Sequence, residues 1–312
     1  MRRRLLVNDY LTTIPGTKTW WHDMVEWFDM TFIGGDYRYL AARAEGYAAS
    51  GASVIVRNAS YFRSIVTGVP QISMLQDINL SGYIREVQDA VLASSSIVAF
   101  NNPFTAAKYD AALAPKIRLI PLGVDFSLFE RRRDPALMIP EGAVCWIGAS
   151  AGAEGPYKGF PMFMSIVRRN PDIEFVGVFK DAAPAHTPRN LRTFTKIPHN
   201  VLVGVIGSCS VALCTSDPSN NPVENQHIAG IEMGACGLPM VAPKVGNYWH
   251  RADDMPGEVV REHDVTCYSD ALRRVLSGPI DRAGIRAYWQ GDFDKPVVRG
   301  MWEEAILSVE AP

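Results

Sequence analysis

The chain has 312 residues, 47% of them hydrophobic and 21% charged, with a formal net charge of -2. That length accommodates one large or two medium domains, and that composition excludes a disordered or fibrous chain. The near-neutral charge gives no electrostatic footprint for nucleic acid, and no apolar run approaches the ~20 residues a membrane span needs. The basic runs, Arg2 to Arg4 and Arg131 to Arg133, read as a frayed terminus and a solvated connector. The five cysteines, Cys145, Cys209, Cys214, Cys236 and Cys267, form no C-x-x-C pair. Three of them lie in or beside apolar runs, where a thiol behaves as a small buried hydrophobe. This usage fits a reducing compartment, and the expected location is the cytoplasm.

In chain order, short apolar runs recur at Leu5 to Val7, Met30 to Ile33, Ser53 to Val56, Gln71 to Leu75, Ile97 to Phe100 and Ile117 to Ile120. A second series covers Ala143 to Ile147, Ile173 to Val178, Leu191 to Phe194, Val211 to Cys214 and Pro239 to Ala242. Continuous apolar strands that alternate with helical segments indicate parallel sheets covered on both faces. Phe160, Phe163, Met164 and Val167 have helical spacing, and Asn170-Pro171 ends that helix. Between the two series, Phe126 to Gly142 is charged and carries Pro135 and Pro140, so residues 126–142 read as a linker. The expected organisation is one Rossmann-like domain over 1–125, a second over 143–286, and a closing helix over 287–312 rich in aromatic residues. Two doubly wound domains of this kind are expected to face each other and bind ligand at the carboxyl ends of their strands.

The most informative stretch runs from Ser216 to Ala242. It follows a strand, opens as a polar loop, becomes a helix near Gln226 and stops at Gly237. Glu224 falls just before the helix and Glu232 two turns inside it. Backbone N–H groups of Asn225, Gln226, His227 and Ile228 at such a helix start suit a diphosphate. Glu232 is placed to accept bonds from the paired hydroxyls of a ribose.

Glu224 and Glu232 are separated by seven residues, and the exit GACGLPMVAPKVGN follows them. Together they resemble the E-x7-E motif of glycosyltransferase family 4, enzymes of the two-domain GT-B fold. The resemblance implies that Glu224 lies at the donor sugar and that Glu232 binds the nucleotide ribose. KIRLIPLGVDFSLF, Lys116 to Phe129, resembles the family's junction between domains. CWIGASAGAEGPYKGF, Cys145 to Phe160, resembles the first strand and loop of its nucleotide-binding domain, which implies that Lys158 contacts donor phosphate. IPGTKTW, Ile14 to Trp20, resembles the family's turn after the first strand, where Gly16 lets backbone approach the phosphates. The likeness covers the second domain well from Lys116 to about Val245 and the first domain thinly. The family's arginine after the first glycine of the second domain is replaced by Ala149.

In the first domain Asp77 is the residue best placed to meet the sugar or acceptor, with a helix N-cap as the plainer reading. Trp20, Trp21 and Trp27 read either as a stacking platform or as core. The segment around Lys158 is not a P-loop, since Gly159 follows the lysine. Asp292-Phe293-Asp294 has a metal-site form but reads as helix capping, and the scattered histidines show no ligand spacing. The implied activity is a retaining glycosyl transfer from a nucleotide sugar with no metal or other cofactor. The acceptor is a glycan or lipid-linked sugar, with a hydroxymethylated base in DNA as the alternative; a nucleotide-sugar epimerase or binding protein of the same fold is the other reading.

Overall fold

The computed structural model describes residues 3–7, 15–34, 37–49, 51–59, 65–76, 83–109, 111–130, 133–152, 154–219 and 224–310, without the side chains of 15–19, 37–38, 83–84 and 154. The chain divides into two compact units, Met1–Gly123 with Lys295–Pro312, and Val124–Asp294.

The first unit runs β1 (Arg3–Val7), α1 (Pro15–Phe28), β2 (Thr31–Ile33), α2 (Tyr37–Ala49), β3 (Ala52–Asn58), β4 (Gln71–Leu75), α3 (Tyr83–Ser94), β5 (Ile97–Phe100), α4 (Pro103–Ala106) and β6 (Ile117–Leu119). Its sheet has six strands in the order β2-β1-β3-β4-β5-β6, paired in parallel throughout. The inner strands are apolar through their middles, as in Val54 to Val56 and Ile97 to Phe100, because both faces are covered. On one face Leu5, Val7 and Ile55 pack with Leu40 and Ala44 of α2, while Leu75, Val98 and Phe100 pack with Val91 and Leu92 of α3.

The second unit runs β7 (Val144–Gly148), α5 (Glu154–Tyr157), α6 (Phe160–Arg169), β8 (Phe175–Phe179), β9 (Leu191–Thr195), α7 (His199–Ser208), β10 (Val211–Leu213), α8 (Ile228–Ala235), β11 (Met240–Pro243), β12 (Gly257–Val260), α9 (Val265–Ser277) and α10 (Arg282–Phe293). Its six strands are ordered β12-β11-β10-β7-β8-β9 and are likewise parallel. Chain order therefore reverses between β7 and β10, the place where doubly wound sheets open a crevice for ligand. One core layer sets Trp146, Phe175 and Val241 against Phe163 and Leu272, with the Trp146 and Phe163 rings stacked at 4.5 Å. The other sets Cys145, Val176 and Ala242 against Ile206, Ile231 and Trp289.

Every apolar run named from the sequence becomes a strand. The short edge strand β12 was not anticipated, because Pro256-Gly257 reads as a turn and only three residues follow before the charged Arg261. The helix α6 ends at Asn170 as its spacing indicates. Two expectations need correction. Within 126–142, Phe126, Phe129 and Ile139 are buried in the core of the second unit, so this stretch is packed and not a free linker. The expected closing helix over 287–312 is two helices: α10, then α11 (Lys295–Glu310), which belongs to the first unit. Trp289 and Phe293 bury in the second unit, whereas Trp302 meets Trp20 of α1 with ring centroids 5.9 Å apart. Glu310 holds α11 on the first sheet, accepting from Arg4 Nη2 at 2.8 Å and from Ser53 Oγ at 2.6 Å. Lys295 Nζ reaches Asp23 of α1 at 2.6 Å. No helix among the described residues is long and apolar enough to cross a membrane.

Candidate functional site

The loops that leave β7 and β10 meet at the reversal of strand order. Gly159 has φ of +69°, and a Cβ there would overlap the Thr215 carbonyl, so only glycine lets the two backbones touch. Thr215 Oγ1 donates to the Lys158 carbonyl at 3.1 Å and accepts from Trp146 Nε1 at 2.9 Å. This clasp sets the Lys158 ammonium on Glu224, 66 positions away in sequence, with Nζ 2.7 Å from Oε2. Ser216 Oγ donates to the same oxygen at 2.9 Å, and the Tyr157 hydroxyl donates to Oε1 at 3.2 Å. Glu224 is 3% exposed. Burial pushes its pKa up, but Lys158, His227 and the hydrogen bonds from Lys158 and Ser216 outweigh burial and hold it below the ordinary carboxylate value. The carboxylate is ionised and paired.

Helix α8 begins at Ile228, two residues later than expected. Its entry is fastened by the turn after β11: Asn247 Oδ1 accepts from the His227 N–H at 2.9 Å, and the Tyr248 hydroxyl meets His227 Nδ1 at 2.6 Å. Ile228 N–H donates to the Gln226 carbonyl at 3.0 Å. The expected row of free N–H groups from Asn225 to Ile228 is thus reduced, since His227 and Ile228 have partners within the chain. The loop after β11 supplies a side-chain acceptor that sequence spacing could not reveal. The N–H of Ala229, one position further, has no partner among the described residues. Burial lowers His227 to about 4, against the pull of Glu224, so its ring is neutral at pH 7.

Small residues make α8 fit this corner. A Cβ on Gly230 would overlap the Tyr248 hydroxyl, and one on Gly234 would overlap the Trp289 ring. Gly246, with φ of +54°, passes so close that a Cβ would lie 2.5 Å from the Asn225 carbonyl oxygen and 2.8 Å from that of Glu224. The helix closes as expected: Gly237 has φ of +75°, and Leu238 N–H bonds the Met233 carbonyl at 3.2 Å. Glu232 is partly buried, its carboxyl has no hydrogen bond or ion pair among the described residues, and burial alone raises it to about 7. An unsatisfied carboxyl of this kind can accept paired hydroxyls.

The structure thus brings Glu224 and Lys158 into contact and places Asn225, Gln226, His227, Ile228 and Glu232 on the same loop and helix. Gly16 falls in the first turn of α1, and the segment before it lies outside the described residues, as does Asp77. Ala149 is buried, and the N–H groups of Ser150 and Ala151 after it are taken by Asp181 at 3.0 and 2.7 Å. Sequence reading missed Tyr157, Ser216, Asn247 and Tyr248. Ser216 lies three residues past the end of β10, and Asn247 and Tyr248 follow the motif's exit, which were the available signals. Trp20 and Trp21 resolve as packing residues: Trp20 is buried, and Trp21 stacks on Phe32 at 4.7 Å. Asp294 caps α10, and Asp292 pairs with Arg251. Glu262, Asp264 and Cys267 could offer ligand atoms to a metal within 4.8 Å of one another, but Asp264 already caps α9.

No family model matches the chain, and no curated protein matches it in sequence. Solved structures do match. The chain is similar to HepE from Anabaena, crystallised with UDP, at a TM-score of 0.75 and 14% identity, covering 98% of this chain and 100% of that one. It is similar to a UDP-forming trehalose-phosphate synthase from Burkholderia xenovorans at a TM-score of 0.70 and 12% identity, covering 100% of both chains. Sucrose-phosphate synthase from Thermosynechococcus elongatus matches at 0.62 and 17% identity, over 87% of this chain and 76% of that one. At these identities the likeness is one of fold. The chain has the GT-B fold, two parallel six-stranded sheets clothed in helices, which these glycosyltransferases share.

Proposed function

We propose that the chain is a retaining, metal-independent glycosyltransferase that takes its sugar from a uridine diphosphate donor and delivers it to a hydroxyl of a glycan or lipid-linked sugar in the cytoplasm. The observation that carries this reading is the Lys158–Glu224 pair at the point where strand order reverses in the second sheet. A cation and a carboxylate are held there side by side, at the strand ends where a doubly wound sheet receives a nucleotide. Lys158 supplies positive charge for the departing diphosphate, and Glu224 a fixed negative charge for a ring that gains oxocarbenium character. Glu232, unpaired on the helix that follows, is the acceptor for ribose hydroxyls. The uridine donor is supported by HepE, whose structures contain UDP and UDP-glucose.

The test is direct. Thermal melts with UDP, GDP and ADP and their glucose conjugates identify the donor, since a ligand stabilises in proportion to its binding. Release of nucleotide from the stabilising conjugate, with and without oligosaccharide acceptors, measures transfer, and the anomeric configuration of the product reads retention. No stabilisation by any nucleotide sugar, or product of inverted configuration, overturns the corresponding part of the proposal.

A further inference from the structure

The carboxyl ends of the central strands of the first sheet carry three neutral amides for which the donor-side reading has no use. Asn58 is the last residue of β3, Gln76 the first after β4, and Asn101 the first after β5. Asn58 pairs in register with Met74, and Leu75 with Phe100. Side chains alternate along strands, so Asn58, Met74 and Gln76 share one face, and one step past Leu75 and Phe100 sets Asn101 beside Gln76 on that face. Asn58 Nδ2 donates to Gln76 Oε1 at 2.9 Å, and Gln76 Nε2 meets Met74 Sδ at 3.5 Å. The nearest cation in sequence, Arg57, is turned to the opposite face, where its Nε donates to Ser73 Oγ at 2.7 Å.

Asn101 is the informative member. It is 5% exposed, and its Oδ1 is buried without a partner among the described residues. Helix capping does not explain it, because the next residue, Asn102, performs that role for α4, accepting from Thr105 N–H at 3.0 Å. A buried carbonyl oxygen left without a donor is destabilising, so packing alone does not account for an amide at this position.

We propose that Asn101, with Asn58 and Gln76, forms a subsite for a neutral, unphosphorylated sugar, one hydroxyl of which donates to Asn101 Oδ1. Its role as the acceptor subsite rests on the glycosyltransferase reading; sugar binding itself does not. Carboxamides pair a donor and an acceptor with neighbouring hydroxyls, whereas a phosphate or carboxylate calls for a cation. Among the described residues on this face of the three strand ends, none is charged.

Saturation-transfer NMR of the whole protein with glucose, galactose, maltose, cellobiose and glucose 6-phosphate tests the proposal without any donor present. Wild type is expected to bind at least one neutral sugar, and to prefer it to glucose 6-phosphate. Asn101→Leu, which fills the same space, is expected to weaken that sugar about tenfold, the worth of one hydrogen bond, while Asn101→Asp retains an oxygen acceptor and most of the affinity. Melts with UDP show that each variant is folded. Neutral-sugar binding unchanged in Asn101→Leu, preference for the phosphorylated sugar, or no sugar bound by wild type overturns the subsite; the first and last of these outcomes are the ones a buried water as the sole partner of Asn101 would give. Failure of the glycosyltransferase reading registers separately, as absence of nucleotide binding by wild type.

Discussion

Replacing Glu224 with glutamine isolates charge from shape at the centre of the site. The carboxylate accepts from Lys158 at 2.7 Å and Ser216 at 2.9 Å on one oxygen, and from Tyr157 at 3.2 Å on the other. A glutamine of the same outline keeps its oxygen toward Lys158 and Ser216, and its amide donates to the Tyr157 hydroxyl, which turns to accept. Hydrogen bonding survives, so the variant chiefly loses one negative charge. Removing one member of a buried pair costs about 3–5 kcal/mol, because the remaining charge is stranded. Here the Lys158 side chain is 25% exposed, and water takes up much of its charge. The expected loss of stability is therefore about 1–2 kcal/mol, or roughly 3–6 °C in melting temperature for a unit of this size. The expected loss of turnover is far larger, about 100- to 1000-fold, equivalent to about 2.7–4 kcal/mol of transition-state stabilisation. Nucleotide release from the donor, measured beside a thermal melt, separates the two effects. Turnover within about threefold of wild type in a folded variant would refute the role given to Glu224.

Lys158→Met is expected to weaken nucleotide diphosphate binding about 10- to 100-fold and to leave uridine itself nearly unaffected, as calorimetry with both ligands would show. Gly159→Ala places a side chain against the Thr215 carbonyl at a positive φ, and a loss of at least about 2 kcal/mol is expected in denaturant unfolding. Glu232 makes stability fall as pH rises. Its pKa is raised from 4.5 to about 7, so the penalty is absent below pH 4.5, grows up to pH 7 and is constant above. The full shift corresponds to about 3 kcal/mol, and partial exposure reduces it to roughly 1–2 kcal/mol. Glu232→Gln is thus expected to melt higher than wild type at pH 8 and alike at pH 4.5, and to flatten a rise in nucleotide affinity through pH 7. Turnover that persists in excess chelator is the expected outcome for a site of lysine and carboxylates; its loss and recovery with a divalent cation would reject metal independence.

Local signals made much of this legible. The strands were readable because a parallel sheet covered on both faces demands unbroken apolar runs, as in Val54 to Val56 and Ile97 to Phe100. The end of α8 was readable because only glycine suits the left-handed position at Gly237. The motif pointed to Glu224, Glu232 and Lys158, but spacing could not say that the first and last of these are ion-paired, nor that Ser216 and Tyr157 share the carboxylate. The 126–142 stretch was misread because its charges and prolines outweighed Phe126, Phe129 and Ile139, whose burial depends on partners from α7, α8 and α10.

The amino-acid order by itself determined the repeated strand-and-helix pattern, the parallel sheets and the loop and helix that carry Glu224 and Glu232, because hydrophobic periodicity, capping residues and glycine stops act within a few positions of one another. Tertiary structure alone decided the chemistry of the corner: the clasp of Gly159 on Thr215 that sets Lys158 on Glu224, the hold of Asn247 and Tyr248 on His227, the desolvation that lifts Glu232, and the division of the C-terminal aromatics between two units. Those outcomes depend on which distant residues share a low-dielectric space, and pKa values and ion pairs are properties of that space.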